Sequence, residues 1–328
     1  NFNTIYFQSR VRGDVNYNSS IEPWARWFSG SSAQSPGWDP LDYVIEQAHT
    51  RGIEVHAWFV TYNVHSGNSS PVSAQHVANQ HSSWITQWSS SGGTTLWWLN
   101  PGIPQVKDYL ISLVAELINN YEIDGIQFDY IRYPDDNFND VAQYNTYGNG
   151  MPLADWRREN INQFVRGAYD TIQQLKPDVK VGSAPIGIYQ NIPNASGWEG
   201  YSEIYQDSRQ WMLEDKHDYL CPQIYWDINT NPMFNVLVND WVQNANTRHI
   251  YPGIAAYRML ANGWQSSEIL NQIDGTRSNL ANGQAMFSAY DIYSNTNSLM
   301  NQLKNTKYLY PANIPSMNWK DSIPPNSP

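Results

Sequence analysis

This sequence contains very little cysteine and little positive charge. Cys221 is the single cysteine, which excludes an intrachain disulfide framework and a zinc site built on several thiolates. The 19 Lys and Arg residues are outnumbered by 30 Asp and Glu, giving a formal net charge of -11, and no basic run interrupts that negative field. Because such a field repels phosphate backbones, we expect no nucleic-acid partner.

Long apolar runs and metal-binding patterns are also missing. No apolar stretch approaches the roughly 20 residues that a membrane helix needs, so we expect no membrane span. Of the seven histidines, only His56 lies within a predicted strand, and no pair has the spacing of a helical metal site. We therefore predict neither a catalytic metal nor a cofactor. The Gly-x-Ser-x-Gly pattern of many serine hydrolases does not occur.

Aromatic residues, in contrast, are abundant, with 15 Trp and 22 Tyr, many of them beside Gly, Asn or Ser. Aromatic faces in a cleft stack well on the apolar faces of sugar rings. Large barrels also fill their interiors with aromatic side chains, so composition alone leaves both interpretations open. Asn-X-Ser sequons at Asn18, Asn68 and Asn194 suit a secreted protein.

Predicted strands alternate with helices along the chain. The strands are expected at 4–9, 53–59, 125–128, 179–184, 219–225, 250–255 and 285–289. Successive βα units with right-handed crossovers make a parallel sheet, and this many units usually close into a barrel. We therefore predict an α/β fold of the (β/α)8 TIM-barrel type. A doubly wound open sheet is the alternative, but the loop after the first strand lacks its Gly-rich phosphate turn.

The predicted domain spans residues 1–310, with a polar insertion at about 62–98 and a surface tail at 311–328. An eight-stranded barrel needs one strand more than these seven. We therefore expect the first strand and helix to be absent from this sequence, which leaves a seam that some other segment should cover.

The run from Asp124 to Pro134 is the most informative stretch. It places Asp129 at the end of a predicted strand and Arg132 in the loop that follows. In βα repeats the carboxyl ends of the strands carry the chemistry, so Asp129 is predicted to be a catalytic nucleophile or electrostatic stabiliser. The alternative is an ion pair between Asp129 and Arg132 that fixes a loop.

Two further aspartates compete for the role of second catalytic group. Asp227 follows a predicted strand and is our choice for the general acid, since the neighbouring indole of Trp226 would raise its pKa by desolvation. Asp14 lies in the loop after the first strand, between Arg10 and Arg12. Its alternative role is that of a turn aspartate held by arginine.

Three cations lie after predicted strands in an otherwise acidic chain: Arg10, Arg12 and Arg132. Together they could bind a substrate carboxylate, such as a lactyl or uronic acid group. Internal pairing with Asp14 and Asp129 is the alternative interpretation.

Other candidate substrate-binding side chains come from the strands themselves. Gln223 and Tyr225 alternate along one predicted strand, and Gln127 lies on another. The alternative role for all three is hydrogen bonding inside the barrel. His56 is a candidate too, although a satisfied core histidine is the simpler interpretation. The tryptophans considered for sugar stacking are Trp58, Trp97, Trp98, Trp226 and Trp264.

Several motifs occur in the order found in one known family. They include Arg12-Gly-Asp14, Gly37-Trp-Asp-Pro-Leu41, Leu99-Asn-Pro-Gly102, the Asp124–Pro134 run and Pro222-Gln-Ile-Tyr-Trp226. In these the chain resembles the glycosyl-hydrolase-like 10 family of bacterial envelope proteins, which is distinct from the family 10 xylanases. The resemblance implies a (β/α)8 barrel, glycoside hydrolysis and a polysaccharide substrate. Characterised members are similar to enzymes that cut peptidoglycan strands stripped of their peptides, which implies a secreted or extracytoplasmic location.

The chain departs from the family pattern at two places. Val60-Thr-Tyr-Asn63 stands where Asn-Pro-Tyr-Arg is common, and Tyr130 follows Asp129 where a second aspartate is frequent. The resemblance adds Tyr62 and Tyr257 to the predicted substrate-binding residues. The departures leave the sugar open and favour an alternative function, that of an inactive carbohydrate-binding or structural barrel.

Overall fold

The structure, a computed structural model, describes residues 1–89 and 92–320, and these residues divide into two units. The first unit contains residues 4–181 and 201–207. The second contains residues 1–3, 182–200 and the chain from 208 onward. No helix within the described residues is both long enough and apolar enough to cross a membrane.

Strands and helices alternate through both units. The strands are β1 Thr4–Arg10, β2 Glu54–Val60, β3 Asn63–Ser66, β4 Ile85–Ser89, β5 Thr95–Leu99, β6 Gly125–Asp129, β7 Lys180–Ser183, β8 Tyr219–Leu220, β9 His249–Ile250, β10 Gly253–Ile254 and β11 Ala285–Met286. The helices are α1 Arg26–Ser29, α2 Pro40–His49, α3 Val77–Gln80, α4 Pro104–Asn120, α5 Val141–Tyr147, α6 Leu153–Leu175, α7 Gly200–Glu203, α8 Ser208–Leu213, α9 Phe234–Gln243, α10 Arg258–Asn262, α11 Ser266–Ser278, α12 Ala289–Tyr293 and α13 Leu299–Asn305. Short 3₁₀ helices span Ser82–Trp84 and Thr296–Ser298.

A parallel ladder forms the centre of the first unit. Strand β1 pairs with β2, and β2 pairs with β6, so that Val60 lies opposite Asp129. Side chains alternate between the faces of such strands. On one face Phe59 and Phe128 pack edge to face against each other, and Phe128 does so against Phe164 of α6. The opposite face of the ladder therefore carries Trp58 and Asp129.

The first turns of α2 and α4 contain residues that favour the start of a helix. Asp39 caps α2 by accepting hydrogen bonds from the amides of Leu41 and Asp42, and proline occupies the first turns of both α2 and α4. Helices α4 and α6 pack together, and their apolar positions are buried. The predicted α/β pattern is thus present in the first unit.

The segment predicted as a polar insertion is an ordered small sheet. Strand β5 pairs antiparallel with both β3 and β4. Val64 and Trp98 are fully buried within it. The polar composition hides this sheet because its loops carry most of the Ser, Asn and Gly.

Strands in the second unit are shorter than predicted. Strands β7, β8 and β9 pair in parallel, and β10 pairs in parallel with β11. The strand expected at 250–255 is split between β9 and β10 by Pro252, which has no amide hydrogen to donate. Pro222 interrupts the strand expected at 219–225 in the same way.

The predicted tail at 311–328 is described only as far as residue 320, so 321–328 lie outside the described residues. The described end of the tail is anchored. Trp319 donates its indole N–H to Asp218 Oδ1 at 2.8 Å, and Lys320 Nζ lies 3.1 Å from Asp218 Oδ2. The Asp218 carboxylate is fully buried, so the tail supplies buried partners to a charge just before β8.

Candidate active site

Asp129 is held by donors on both carboxylate oxygens. It is the last residue of β6 and is 9% exposed. Trp58 of β2 donates its indole N–H to Asp129 Oδ2 at 3.1 Å, and the Tyr130 amide donates to Oδ1 at 2.8 Å. Because one of these donors stands on the neighbouring strand, the orientation of the carboxylate depends on the sheet register and not on its loop alone.

The chain turns sharply directly after this carboxylate. Tyr130 has a φ of 51°, in the left-handed region that residues other than glycine rarely adopt. A conformation of this kind costs on the order of 1 kcal/mol and is common at functional sites. The turn ends β6 and directs the Tyr130 amide back toward Asp129.

Arg132 packs among aromatic rings beside Asp129. Its guanidinium lies 5.6 Å from the ring centroid of Trp98 and 5.1 Å from that of Tyr130. It also donates to the Tyr133 carbonyl at 3.0 Å. Burial lowers the pKa of the Arg132 guanidinium, and the charges of Tyr130 and Asp129 oppose that shift. Arg132 is therefore a fixed cation in the surroundings of Asp129.

Asp14 follows β1 in a tight turn. The Val11 amide donates to the Asp14 carbonyl at 2.8 Å, and Val15 returns to bridge with Arg10 of β1. The side chain is half-buried, and the Arg12 amide donates to its Oδ1 at 3.2 Å. Burial raises the pKa of Asp14 from 3.8 to about 6, although that hydrogen bond lowers it in part. Asp14 can therefore hold a proton at mildly acidic pH.

His76 holds the Asp14 turn against the insertion. Its Nε2 lies 2.8 Å from the Arg12 carbonyl, and its Nδ1 accepts from the Ala78 amide at 3.1 Å, which assigns the proton to Nε2. Gly13 has a φ of 71°, and a Cβ there would meet the His76 ring at 2.6 Å. His76 was not among the predicted site residues, because no local pattern indicates its partner 64 residues away.

Arg10 has its hydrogen bonds inside the protein. The side chain is fully buried, and its Nε and NH2 donate to the two Glu22 oxygens at 2.7 and 2.6 Å. NH1 donates to the Thr61 carbonyl at 2.7 Å. The internal pairing considered for Arg10 thus exists, but the partner is Glu22 and not Asp14. Arg12, whose side chain is exposed, remains the better candidate for a substrate carboxylate.

Asp14 and Asp129 lie at the same edge of the parallel ladder. Strand β1 pairs with β2 and β2 with β6, so the carboxyl ends of all three strands share one edge. Adjacent strands are about 4.8 Å apart, which separates the axes of β1 and β6 by about 10 Å.

His56 and Tyr62 are packed inside the first unit. His56 is buried, lies 3.2 Å from Glu54 and packs edge to face on Tyr6. Tyr62 is 1% exposed and packs edge to face on Phe164, and burial raises the pKa of its hydroxyl. Both environments favour a core role over the predicted substrate contact.

Asp227, in the second unit, is held by its own loop. Its Oδ1 accepts from the amides of Asn229 and Thr230, both at 2.8 Å, and its Oδ2 accepts from the Thr230 hydroxyl. Burial acts to raise the pKa of Asp227, but these hydrogen bonds lower it below its usual value. The expected rise beside Trp226 is therefore wrong, and the surroundings of Asp227 do not suit a general acid.

The other predicted residues of the second unit are partly exposed. Tyr225 stacks with Phe287 at 6.1 Å and packs edge to face with Tyr257 at 5.8 Å. Gln223 donates to the Ala184 carbonyl at 2.9 Å. The Trp226 ring packs closely on Gly187, where a Cβ would lie 2.7 Å from the ring. Phe287 was not among the predicted site residues, although its position just after β11 places it at the carboxyl end of a strand.

Open depressions occur elsewhere in the first unit. One, of about 450 Å³, lies between the 3₁₀ helix Ser82–Trp84 and α5, and another, of about 420 Å³, lies within the insertion. Asp129 lines neither of them. Across the described residues, no group of three or more His, Cys, Asp or Glu side chains is arranged to hold a metal ion.

Comparison with known sequences gives consistent matches. The family described as Glycosyl hydrolase-like 10 matches residues 1–267. Glycosyl hydrolase YngK of Bacillus subtilis (strain 168) is 34% identical over 349 residues, covering 99% of this chain and 68% of the relative. Glycosyl hydrolase DigH of Escherichia coli (strain K12) is 36% identical over 282 residues, covering 78% of this chain and 63% of the relative. The chain thus spans about two thirds of the length of these relatives.

Solved structures show the same fold at low sequence identity. The PgaB (BpsB) glycoside hydrolase domain from Bordetella bronchiseptica matches with a TM-score of 0.63 and 15% identity, covering 92% of this chain and 87% of that domain. Alpha-L-fucosidase isoenzyme 2 from Paenibacillus thiaminolyticus matches with a TM-score of 0.60 and 12% identity, covering 94% and 44%. These likenesses confirm the predicted fold class, an α/β fold of the TIM-barrel type.

Proposed function

This chain belongs to the glycosyl hydrolase-like 10 family, and we propose that it hydrolyses the glycosidic bonds of an amino-sugar polysaccharide such as denuded peptidoglycan strands. The family and the fold support a glycan-cleaving hydrolase. The observation that carries the proposal is the Asp129 carboxylate, fixed at the carboxyl end of β6 by the Trp58 indole. In barrel enzymes that edge is where catalytic side chains are found.

In the proposed reaction Asp14 is the general acid and Asp129 the general base. Asp14 gives its proton to the leaving glycosidic oxygen as the bond from the anomeric carbon to that oxygen breaks. A water attacks the anomeric carbon and passes a proton to Asp129. The raised pKa of Asp14, about 6, supports the first role. The two carboxylates follow strands that are not neighbours, and an inverting pair needs a wider separation, roughly 6.5 to 9.5 Å, than the roughly 5 Å of a retaining pair.

The choice of substrate rests on the chemistry around this pair. Arg12 is exposed beside Asp14 and could bind a lactyl carboxylate of muramic acid. Tyr225, Trp226 and Tyr257 stay predicted sugar contacts. A secreted or cell-envelope location is part of the proposal, supported by the Asn-X-Ser sequons and by the substrate.

A second candidate function is that of a carbohydrate-binding barrel without activity. The observation that favours it is Tyr130, which stands in a left-handed conformation next to Asp129, at the position where the resemblance led us to expect a second aspartate. This alternative predicts glycan binding with no release of new reducing ends.

The test is a substrate panel with product analysis. We would incubate the protein with denuded peptidoglycan strands, chitin and uronate polymers, identify products by mass and follow the anomeric configuration of fresh products by NMR. We expect products from the peptidoglycan strands with inverted configuration, and none from the Asp129→Asn variant. Activity of Asp129→Asn equal to that of the unmodified protein would remove Asp129 from the mechanism, and binding without products would favour the inactive barrel.

A further inference from the structure

A second binding surface lies outside the surroundings of Asp129. The depression of about 450 Å³ described above is bounded by the 3₁₀ helix Ser82–Trp84, the start of α4 and α5, and we name it the α5 groove. Its polar and aromatic lining consists of Ser83, Trp84, Gln105, Gln143, Thr146 and Tyr147. Small-molecule sites typically have volumes of about 300 to 1,000 Å³. We propose that the α5 groove binds one uncharged sugar unit of the polysaccharide substrate, such as N-acetylglucosamine, an inference that rests on the proposed function.

The lining of the groove is chemically neutral. No described residue that lines it is charged, in a chain whose net charge is -11. A carboxylate, a phosphate or a cation would need a countercharge there, so the lining favours an uncharged ligand. Gln105 and Gln143 supply amides that both donate and accept hydrogen bonds, and within the described residues neither amide is engaged by another group. Sugar hydroxyls, which also donate and accept, are suitable partners.

Trp84 is held in place by neighbouring rings. Trp84 stacks on His81 with ring centroids 3.8 Å apart and an interplanar angle of 8°, and Tyr109 packs at 5.7 Å. His81 covers one face of the indole, which leaves the other face or the ring edges for the groove. Tyr147, at the end of α5, is 39% exposed. An aromatic ring fixed as Trp84 is can bind the apolar face of a sugar at little entropic cost.

Two segments that bound the groove follow strands of the ladder to which Asp129 belongs. The insertion follows the carboxyl end of β2, and α5 follows that of β6. Trp88 of the insertion donates its indole N–H to Asn137 at 3.1 Å, which joins the two connections. Both connections therefore start from the edge of the ladder at which Asp129 lies.

The depression within the insertion is less suited to a ligand. Its Asn79 amide already donates to the carbonyls of Pro71 and Ser73. The Trp97 indole N–H is bonded to the Gly67 carbonyl, and the side chain is largely buried. The α5 groove is therefore the stronger candidate.

The test measures binding in the Asp129→Asn background, where hydrolysis does not interfere. Denuded peptidoglycan strands and N-acetylglucosamine oligosaccharides of two to six units would be titrated by calorimetry. We expect Tyr147→Ala and Gln143→Ala each to weaken the binding of the strands about fivefold and to leave the disaccharide unchanged. Trp27→Ala is the matched control, because Trp27 is 63% exposed and lies outside the groove.

The outcomes separate the groove from the catalytic proposal. If the unmodified protein cleaves no polymer while the groove variants still bind strands more weakly, the proposed function fails and the groove stands. If both variants bind strands as tightly as the Asp129→Asn parent, or if the parent binds no strand at all, the groove proposal is overturned. Circular dichroism of each variant checks that the surface substitutions leave the fold intact.

Discussion

Asp129 and Asp227 both follow a strand in the sequence, yet they are held in different ways. Asp129 accepts a hydrogen bond from Trp58, 71 residues earlier, whereas Asp227 accepts from the amides and hydroxyl of residues two and three positions later. A carboxylate satisfied by its own loop stabilises that loop. One fixed from a neighbouring strand is oriented relative to the sheet. The partner of an aspartate therefore tells more about its role than its position after a strand.

Removing each carboxylate in turn gives the largest expected difference. We expect Asp129→Asn to lower kcat/KM at least about 1,000-fold, a loss of about 4 kcal/mol of transition-state stabilisation. Asp227→Asn should change kcat/KM less than about threefold, because only its loop loses hydrogen bonds. Steady-state kinetics on the best polymer of the panel measures both values. Equal losses in the two variants would remove the distinction between the aspartates.

Glu22 extends the comparison to stability, since it too is held by distant side chains. Glu22→Gln leaves the fully buried Arg10 guanidinium without its charged partner. We expect the free energy of unfolding to fall by about 3 kcal/mol. Asp155→Asn, which breaks a pair with Arg158 in which Asp155 is 55% exposed, should cost less than about 0.5 kcal/mol. Urea unfolding of both variants checks this, and a small loss in Glu22→Gln would contradict it.

Asp14 makes the free energy of unfolding depend on pH. Its pKa in the folded protein, about 6, lies above the usual 3.8, so the folded state keeps a proton that the unfolded chain has lost. The free energy of unfolding should therefore fall as pH rises from about 4 to about 6 and stay level above. We expect Asp14→Asn to be about 2 kcal/mol more stable than the unmodified protein at pH 8, allowing for partial exposure, and equally stable below pH 4.

The same substitution should abolish the high-pH limb of the activity profile. An acid with a pKa of about 6 makes kcat/KM decline above that pH, and Asn cannot supply the proton. Activity and chemical denaturation measured from pH 4 to 8 test both effects. An unchanged activity profile in Asp14→Asn would transfer the acid role to another group.

The smallest expected effect concerns the donor to Asp129. Trp58→Phe keeps a ring but removes the indole N–H, and we expect kcat to fall about tenfold with little change in KM. Trp27→Phe is the matched control, because Trp27 is 63% exposed and the indole donor to Asp129 is Trp58. A similar drop in both variants would mean that the rings, and not the donor, matter.

The sequence was sufficient for the order of the strands but not for their lengths. Each of the seven predicted strands coincides with an observed strand, because apolar runs bounded by Gly, Asn and Pro identify them. The strand expected at 250–255 was too long, since the hydrophobic pattern continues through Pro252 where pairing is interrupted. The sheet of the insertion was missed, although Thr95–Leu99 carries the aromatic residues typical of a strand.

The candidate site was predictable only in part. Asp129 follows from its position at the end of a strand, but its bond to Trp58 depends on the register between β2 and β6, which no local pattern encodes. The pairing of Arg10 with Glu22 was missed because Asp14, which is nearer in the sequence, was a plausible partner. The raised pKa of Asp14 depends on burial, which no local sequence pattern encodes.

The anchoring of Trp319 and Lys320 on Asp218 bears on where this protein can be shortened. A fragment that ends at residue 316 would remove both donors from the buried Asp218 carboxylate. Such a fragment would give a poor yield or aggregate, and its low activity in a screen could then be mistaken for damage to the catalytic residues. Fragment boundaries for this protein should therefore lie beyond Lys320.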